Sequence, residues 1–308
     1  MSFSALSSYA VPAGYALFVW WFSTGVVIYL DNLPRRTHRW SMLGATVVLA
    51  VALHGLHAGR TDATPSGAYI AFTYGLLVWG WQEMSFFMGF LTGPVREPCP
   101  ADCVGWHRFT RAVQICLYHE LATVVSAAAV IAATAHGANQ VGMWTYMVLW
   151  LMRLSAKLNV FLGVRNLSEE FIPEHLAFIR SFLRHRPMNA LFPFSVTIPT
   201  IIAVLLVQRI AAPDTDAVTF VGQTLIAVLL ILAIIEHWLL VLPLPATALW
   251  NWSVRARQQR RAAADAALAV GQSLRSGRFW EAGFPAHVPR LARVAVPASN
   301  HTAIGGDP

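Results

Sequence analysis

Charge is what this 308-residue chain has least of: Asp, Glu, Lys and Arg make up 12% of it, against 56% apolar residues. Soluble domains carry about a quarter charged residues, so a water-soluble globular class is excluded. No Gly-rich phosphate loop, no Ser-His-Asp order and no soluble cofactor fold is visible, which removes the common catalytic motifs. Internal repeats are absent as well. The first apolar stretch has no Lys or Arg before it and is followed by Asp31-Asn32-Leu33-Pro34-Arg35-Arg36 instead of a small-residue cleavage site. A retained span is expected there, not a cleaved signal peptide.

Long apolar runs fill the space that charge leaves. Seven stretches are long enough to cross a bilayer, at about 10–30, 40–58, 68–92, 110–134, 141–162, 190–211 and 217–242. A formal charge of +7 raises the question of nucleic acid, which would need the basic residues gathered on one exposed face. They are instead gathered on one side of the membrane. With the N-terminus outside, 20 of the 22 basic residues fall in cytoplasmic segments, leaving Arg60 and Arg209 opposite. The positive-inside rule therefore predicts seven spans, N-terminus periplasmic and C-terminus cytoplasmic, in contact with lipid and not with nucleic acid. Cys99 and Cys103 then lie in a cytoplasmic loop and Cys116 within the fourth span, where reduced thiols are expected.

Short links between spans 1 and 2, 2 and 3, and 4 and 5 force antiparallel neighbours, hence an all-α bundle over 1–252. Residues 93–109, with Pro94, Pro98 and Pro100, read as an irregular loop. Residues 163–189 read as a cytoplasmic surface helix roofing the bundle, with Ser168 as N-cap, acids near its start and arginines near its end. Phe171, Leu176, Phe178, Ile179, Phe182 and Leu183 supply its apolar side. Beyond Trp250 and Trp252, residues 253–308 read as a basic, partly disordered cytoplasmic tail.

Against that apolar background stand Glu83, Glu120 and Glu236, each inside a membrane-length run. An acid at the centre of a spanning helix costs roughly 2.5 to 3.5 kcal/mol on insertion scales. At 1.5 Å per residue all three lie roughly 10 to 15 Å inside the cytoplasmic edge. Arg153 and Lys157, one helical turn apart on the fifth span, and Asn159 fall in the same half.

Three readings of this constellation remain open. In the first, Glu83, His119, Glu120, Glu170, Glu174, His175, Glu236 and His237 hold metal, for instance two iron ions whose charge four glutamates cancel. Glu-x-x-His, the pattern that sets both ligands of a bundle di-iron site on one face, is absent. The adjacent His119-Glu120, Glu174-His175 and Glu236-His237 pairs instead sit about 100° apart on a helix. In the second, Arg153 and Lys157 neutralise two of the glutamates and the third is protonated or hydrogen-bonded. In the third, His119, His175 or His237 ligates the magnesium of a bacteriochlorophyll or related tetrapyrrole. Cys99, Cys103 and His107 recur every four residues, but a fourth zinc ligand is missing.

Four stretches carry a resemblance: WWFSTGVVIYLDNLP at 20–34, WGWQEMSFFMG at 79–89, LYHELA at 117–122 and KLNVFLGVRNLSEEFIPEHL at 157–176. Together they resemble the photosynthetic complex assembly protein 2 family (PuhE) of purple phototrophic bacteria, over about residues 10–250. That resemblance implies a multi-pass protein of the inner, intracytoplasmic photosynthetic membrane. It also implies support for forming the reaction-centre and light-harvesting complexes, with those subunits and pigment as partners and a link to bacteriochlorophyll supply. A membrane di-iron oxidoreductase acting on a tetrapyrrole or another lipophilic substrate, and a pigment-binding carrier, are the alternatives.

Overall fold

Local signals start and stop each helix. Thr64 accepts the Gly67 N–H, with Pro65 in the first helical position, and Asp216 accepts the N–H groups of Val218 and Thr219. Such side chains replace the backbone partners that a helix start lacks. Gly163, at φ +120°, ends another helix in a conformation that other residues rarely adopt. The computed structural model describes residues 3–100, 102–167 and 172–242, together with 259, 266 and 268–272.

Among the described residues there are seven long helices: α1 Phe3–Asp31, α2 Arg35–Ala58, α3 Pro65–Phe87, α4 Gly105–Thr134, α5 Val141–Leu162, α6 Phe192–Ile210 and α7 Ala217–Leu239. No strand forms among them, and Val164 and His185 make one isolated parallel bridge. Residues Met1–Arg255 form one compact unit and Ala256–Pro308 a second, of which only a few helical residues are described.

Five of the seven helices, α1 from Ser8, α2, α4, α6 and α7, are long and apolar enough to cross a membrane. The other two each pack against at least four helices: α3 against α1, α2, α4, α5 and α7, and α5 against α3, α4, α6 and α7. A helix whose sides meet other helices has less need of lipid-compatible side chains, so α3 and α5 can carry Gln82, Glu83, Arg153 and Lys157. The outward faces tell the same story. Ile198, Ile201, Ile202 and Leu205 on α6 and Leu17, Phe18, Trp21 and Phe22 on α1 are exposed.

The 31–35, 88–104 and 163–191 connections share one end of the bundle, which holds most of the arginines and is called the basic end below. At the opposite, far end, helices approach closely. A Cβ built on Gly75 would lie 2.5 Å from the Gly142 carbonyl, and one on Gly142 would lie 2.7 Å from that of Ala71. This seam joins α3 to α5 as small residues join membrane helices generally.

Three expectations change. The third apolar stretch leaves the helix at Phe87, not near residue 92. Gly89 takes φ +80° and Ser85 O accepts the N–H groups of both Phe90 and Leu91, so the apolar run 88–92 is turned back and not propagated. The 163–189 segment forms a nine-residue 3-10 helix over Glu174–Phe182, with Ser168–Phe171 outside the described residues. Pro173 precedes it, and both flanks are pinned by Val164 N–H to Arg184 O and Arg186 N–H to Val164 O. Its Phe178, Ile179 and Phe182 pack with Cys103 and Ile115, against α4. Finally, Cys99 and Cys103 are joined in a disulfide where reduced thiols were expected. Both sulfurs sit in one tight turn, its Cys103 N–H bonded to Pro100 O, which brings the two Cα atoms within 5.8 Å.

Candidate functional site

Helical spacing puts two of the acids on facing stripes. On α3, Phe72, Leu76 and Glu83 share a face, as do Leu225, Leu229 and Glu236 on the parallel α7. The four apolar members form one buried cluster. Glu83 and Glu236 therefore continue the same seam toward the basic end, at matching level. Arg153 of α5 reaches into it, its Nη2 3.2 Å from Glu83 Oε2. Glu236 lies within the electrostatic reach of both Arg153 and Glu83, and its side chain is exposed.

One turn along α5, Lys157, the only lysine of the chain, donates to Glu120 Oε1 at 2.7 Å. The two pairs are separated by aromatic rings. Arg153 lies 5.8 Å from the Phe87 centroid and Lys157 5.5 Å from that of Phe86. His119 packs against the same Phe86 ring, centroids 4.8 Å apart. The aromatic faces favour the cations, and the carboxylates of α3 and α4 are thereby tied to α5. Neither pair is sealed: side-chain exposure is 38% and 17% for Arg153 and Glu83, and about a quarter for Lys157 and Glu120.

The three histidines named from the sequence part company. His237 is buried; its Nδ1 lies 2.8 Å from Ala233 O and its Nε2 3.0 Å from Ser155 Oγ. A carbonyl only accepts, so Nδ1 carries the proton and Nε2 takes the serine proton, and both nitrogens are occupied. His175, in the 3-10 helix, donates from Nε2 to Phe87 O at 2.9 Å and so caps the last turn of α3. Burial holds its pKa below the usual imidazole value, with Arg35, His38 and Arg96 acting the same way and the Phe87 carbonyl opposing them. His119 is 1% exposed and its Nδ1 has no partner among the described residues.

Around this cluster runs a set of amides and hydroxyls that residue type alone did not single out. Asn159, fully buried, donates to Ser155 O and Ser195 Oγ. Asn189 donates to Asn159 O and Gly163 O, while its Oδ1 accepts the Leu191 and Phe192 N–H groups at the start of α6. Asn166 reaches Leu239 O at the end of α7. Gln82 donates to Ala122 O and Ser126 Oγ, joining α3 to α4, and leaves its Oε1 without a partner. Of these residues only Asn159 stood out beforehand. An asparagine next to the end of an apolar run, as Asn166 and Asn189 are, was the available signal.

The structure thus gathers Glu83, Glu120, Glu236, His119, Arg153 and Lys157. Glu174 is exposed in the first turn of the 3-10 helix, with His175 turned to α3, and Glu170 lies outside the described residues. No group of three or more His, Cys, Asp or Glu side chains converges as a metal site would among the described residues. Chemically, the cluster offers two ion pairs, a third carboxyl group beside one of them, and an imidazole nitrogen.

Comparison with known proteins gives a family and a relative. The family described as "Protein of unknown function (DUF3623)" matches residues 6–261. A Rhodobacter capsulatus protein described as "Uncharacterized 30.4 kDa protein in puhA 5'region" is 38% identical over 240 residues, covering 77% of this chain and 87% of the relative. No solved structure matches.

Proposed function

The chain belongs to the DUF3623 family, and from that premise we propose that it is a multi-pass assembly factor for photosynthetic reaction-centre and light-harvesting complexes, linked to bacteriochlorophyll supply. The Rhodobacter capsulatus relative, whose description places it in the puhA 5' region, supports a photosynthetic gene-cluster setting, and the four resembling stretches point the same way. In this reading all seven helices span the inner membrane, α3 and α5 packed among the other five. The basic end faces the cytoplasm.

One observation carries the choice of assembly factor over oxidoreductase. Both cations of α5 are spent on glutamates, Arg153 on Glu83 and Lys157 on Glu120. A bridging di-iron site would need those carboxylates released from cations only about 3 Å away, whereas a scaffold uses them as they stand. The most specific of the four resembling stretches, 157–176, supports this. Its Lys157, Asn159, Gly163 and Asn166 fasten the end of α5 to α4, α6 and α7. His119, with its unused nitrogen, is the residue we assign to any pigment contact.

Metal content and spectrum of the protein purified in mild detergent test this. The expected result is far fewer than two irons per chain, with or without a tetrapyrrole band. Two irons per chain, lost together in Glu83→Gln and Glu120→Gln, would establish the oxidoreductase instead.

A further inference from the structure

Arg108 is 5% exposed, in the first turn of α4. Its guanidinium donates to the carbonyl oxygens of Phe161 and Phe182 and lies 4.3 Å from the Phe161 ring centroid. Two further arginines are fixed beside the same short segment. Arg184 O accepts the Val164 N–H, and Arg186 N–H donates to Val164 O. The Arg186 stem lies over Gly163, where a Cβ would come within 2.8 Å of its Cγ and Cδ. Arg184 and Arg186 both act electrostatically on Arg108. Among the described residues none of the three is ion-paired with a carboxylate.

Carbonyl oxygens hold the Arg108 Nη2 and a ring face lies against its guanidinium, without cancelling its charge. Three like charges around residues 161–164, one of them buried, leave an excess that an anion relieves. The neighbouring helix start points the same way. Val104 provides no side-chain cap, so the first N–H groups of α4 face out with the positive end of the helix dipole. The surroundings resemble a bilayer boundary, with Trp106 75% exposed and stacked on Phe109, and Val104 65% exposed. Exposed tryptophan beside arginine is the composition of a headgroup-level surface.

We propose that Arg108, Arg184 and Arg186, with the start of α4, form a binding site for a phosphate oxyanion, supplied by an anionic lipid headgroup. Guanidinium groups bind phosphate oxygens through charge-assisted hydrogen bonds. Arg108, held by backbone carbonyls, sets the floor of the site, and Arg184 and Arg186 close on the ligand. A headgroup bound there would brace the 183–187 segment against α4 and α5.

The test uses the full chain in phosphatidylcholine nanodiscs containing phosphatidylglycerol, with native mass spectrometry counting retained lipid. Arg184→Gln/Arg186→Gln should lower phosphatidylglycerol retention roughly tenfold to thirtyfold, for two contacts near the bilayer surface. Arg35→Gln/Arg36→Gln removes the same charge from exposed positions at the same end and should retain lipid as the parent does. Equal losses in the two double variants, or no loss in either, would overturn the site. Arg186→Glu, at an exposed position, gives the same readout should the first double variant fail to fold. In a separate arm, inorganic phosphate is compared with chloride at equal ionic strength. Phosphate-specific thermal stabilisation lost in Arg184→Gln/Arg186→Gln, without lipid retention, would overturn the lipid source and leave a free phosphate anion as the ligand.

Discussion

At the far end of the bundle α3 and α5 meet backbone to backbone, a hypothetical Gly75 Cβ standing 2.5 Å from the Gly142 carbonyl. At the basic end the same two helices meet through Glu83 and Arg153, with Phe87 beside them. The far seam works by excluding side chains and is insensitive to charge. The basic seam works by opposing charges, and it is not sealed, since Arg153 and Glu83 both keep some exposure. One helix pair is therefore closed by backbone contact at one end and by an ion pair at the other.

The largest expected effect comes from breaking the closed seam. Gly75→Val should destabilise the bundle by about 3 kcal/mol or more, since the obstacle is backbone and cannot rotate away. Melting of the purified protein in detergent checks this. A loss under about 1 kcal/mol would mean that close approach is not what holds the far end.

Next in size is the open seam. Lys157→Ala leaves Glu120 without its cation inside an apolar run, and about 2 kcal/mol of stability should be lost, less than for a sealed pair because both partners are a quarter exposed. Adding Glu120→Gln should restore roughly half of that, since the residual cost is an uncompensated charge. Strict additivity of the two changes would show that the pair does not couple α4 to α5.

The smallest effect is a pH dependence at the cap of α3. The folded-state pKa of His175 is held below its ordinary value, so the unfolded or undocked state binds the proton more readily. Stability from this contact is complete above about pH 6.5 and declines as pH falls toward the folded value. Limited proteolysis near Glu174–Phe182 should accelerate in the parent as pH drops below about 6.5, and His175→Gln should flatten the profile. A profile unchanged by that substitution would remove His175 from the docking of this segment.

Much of this was legible in advance because a charge within an apolar run stands out on its own. Glu83, Glu120, Glu236, Arg153 and Lys157 were visible that way, and the notion of two paired and one unpaired acid needed only their number and sign. Asn189, Ser195 and Ser155 were not visible, because an amide or hydroxyl looks alike whether it faces water or caps a helix 30 residues away. His175 and His237 looked like ligands for the same reason. Composition identifies imidazoles, whereas their availability depends on whether a carbonyl such as Phe87 O or Ala233 O already holds a nitrogen. The early end of α3 was hidden by the apolar residues 88–92, which hydropathy extends into the span.

By itself the sequence determined that the chain is helical and suited to a membrane, which end carries the arginines, and which charged residues sit within apolar runs. Those follow from composition and periodicity, which act residue by residue. Only the tertiary structure decided which acid meets which base, that α3 packs against five other helices, that Cys99 meets Cys103, and that Arg108 shares its surroundings with Arg184 and Arg186. Each of these is a contact between residues distant in the chain or a local turn geometry, and pairing energies depend on distances of a few ångströms that no local pattern encodes.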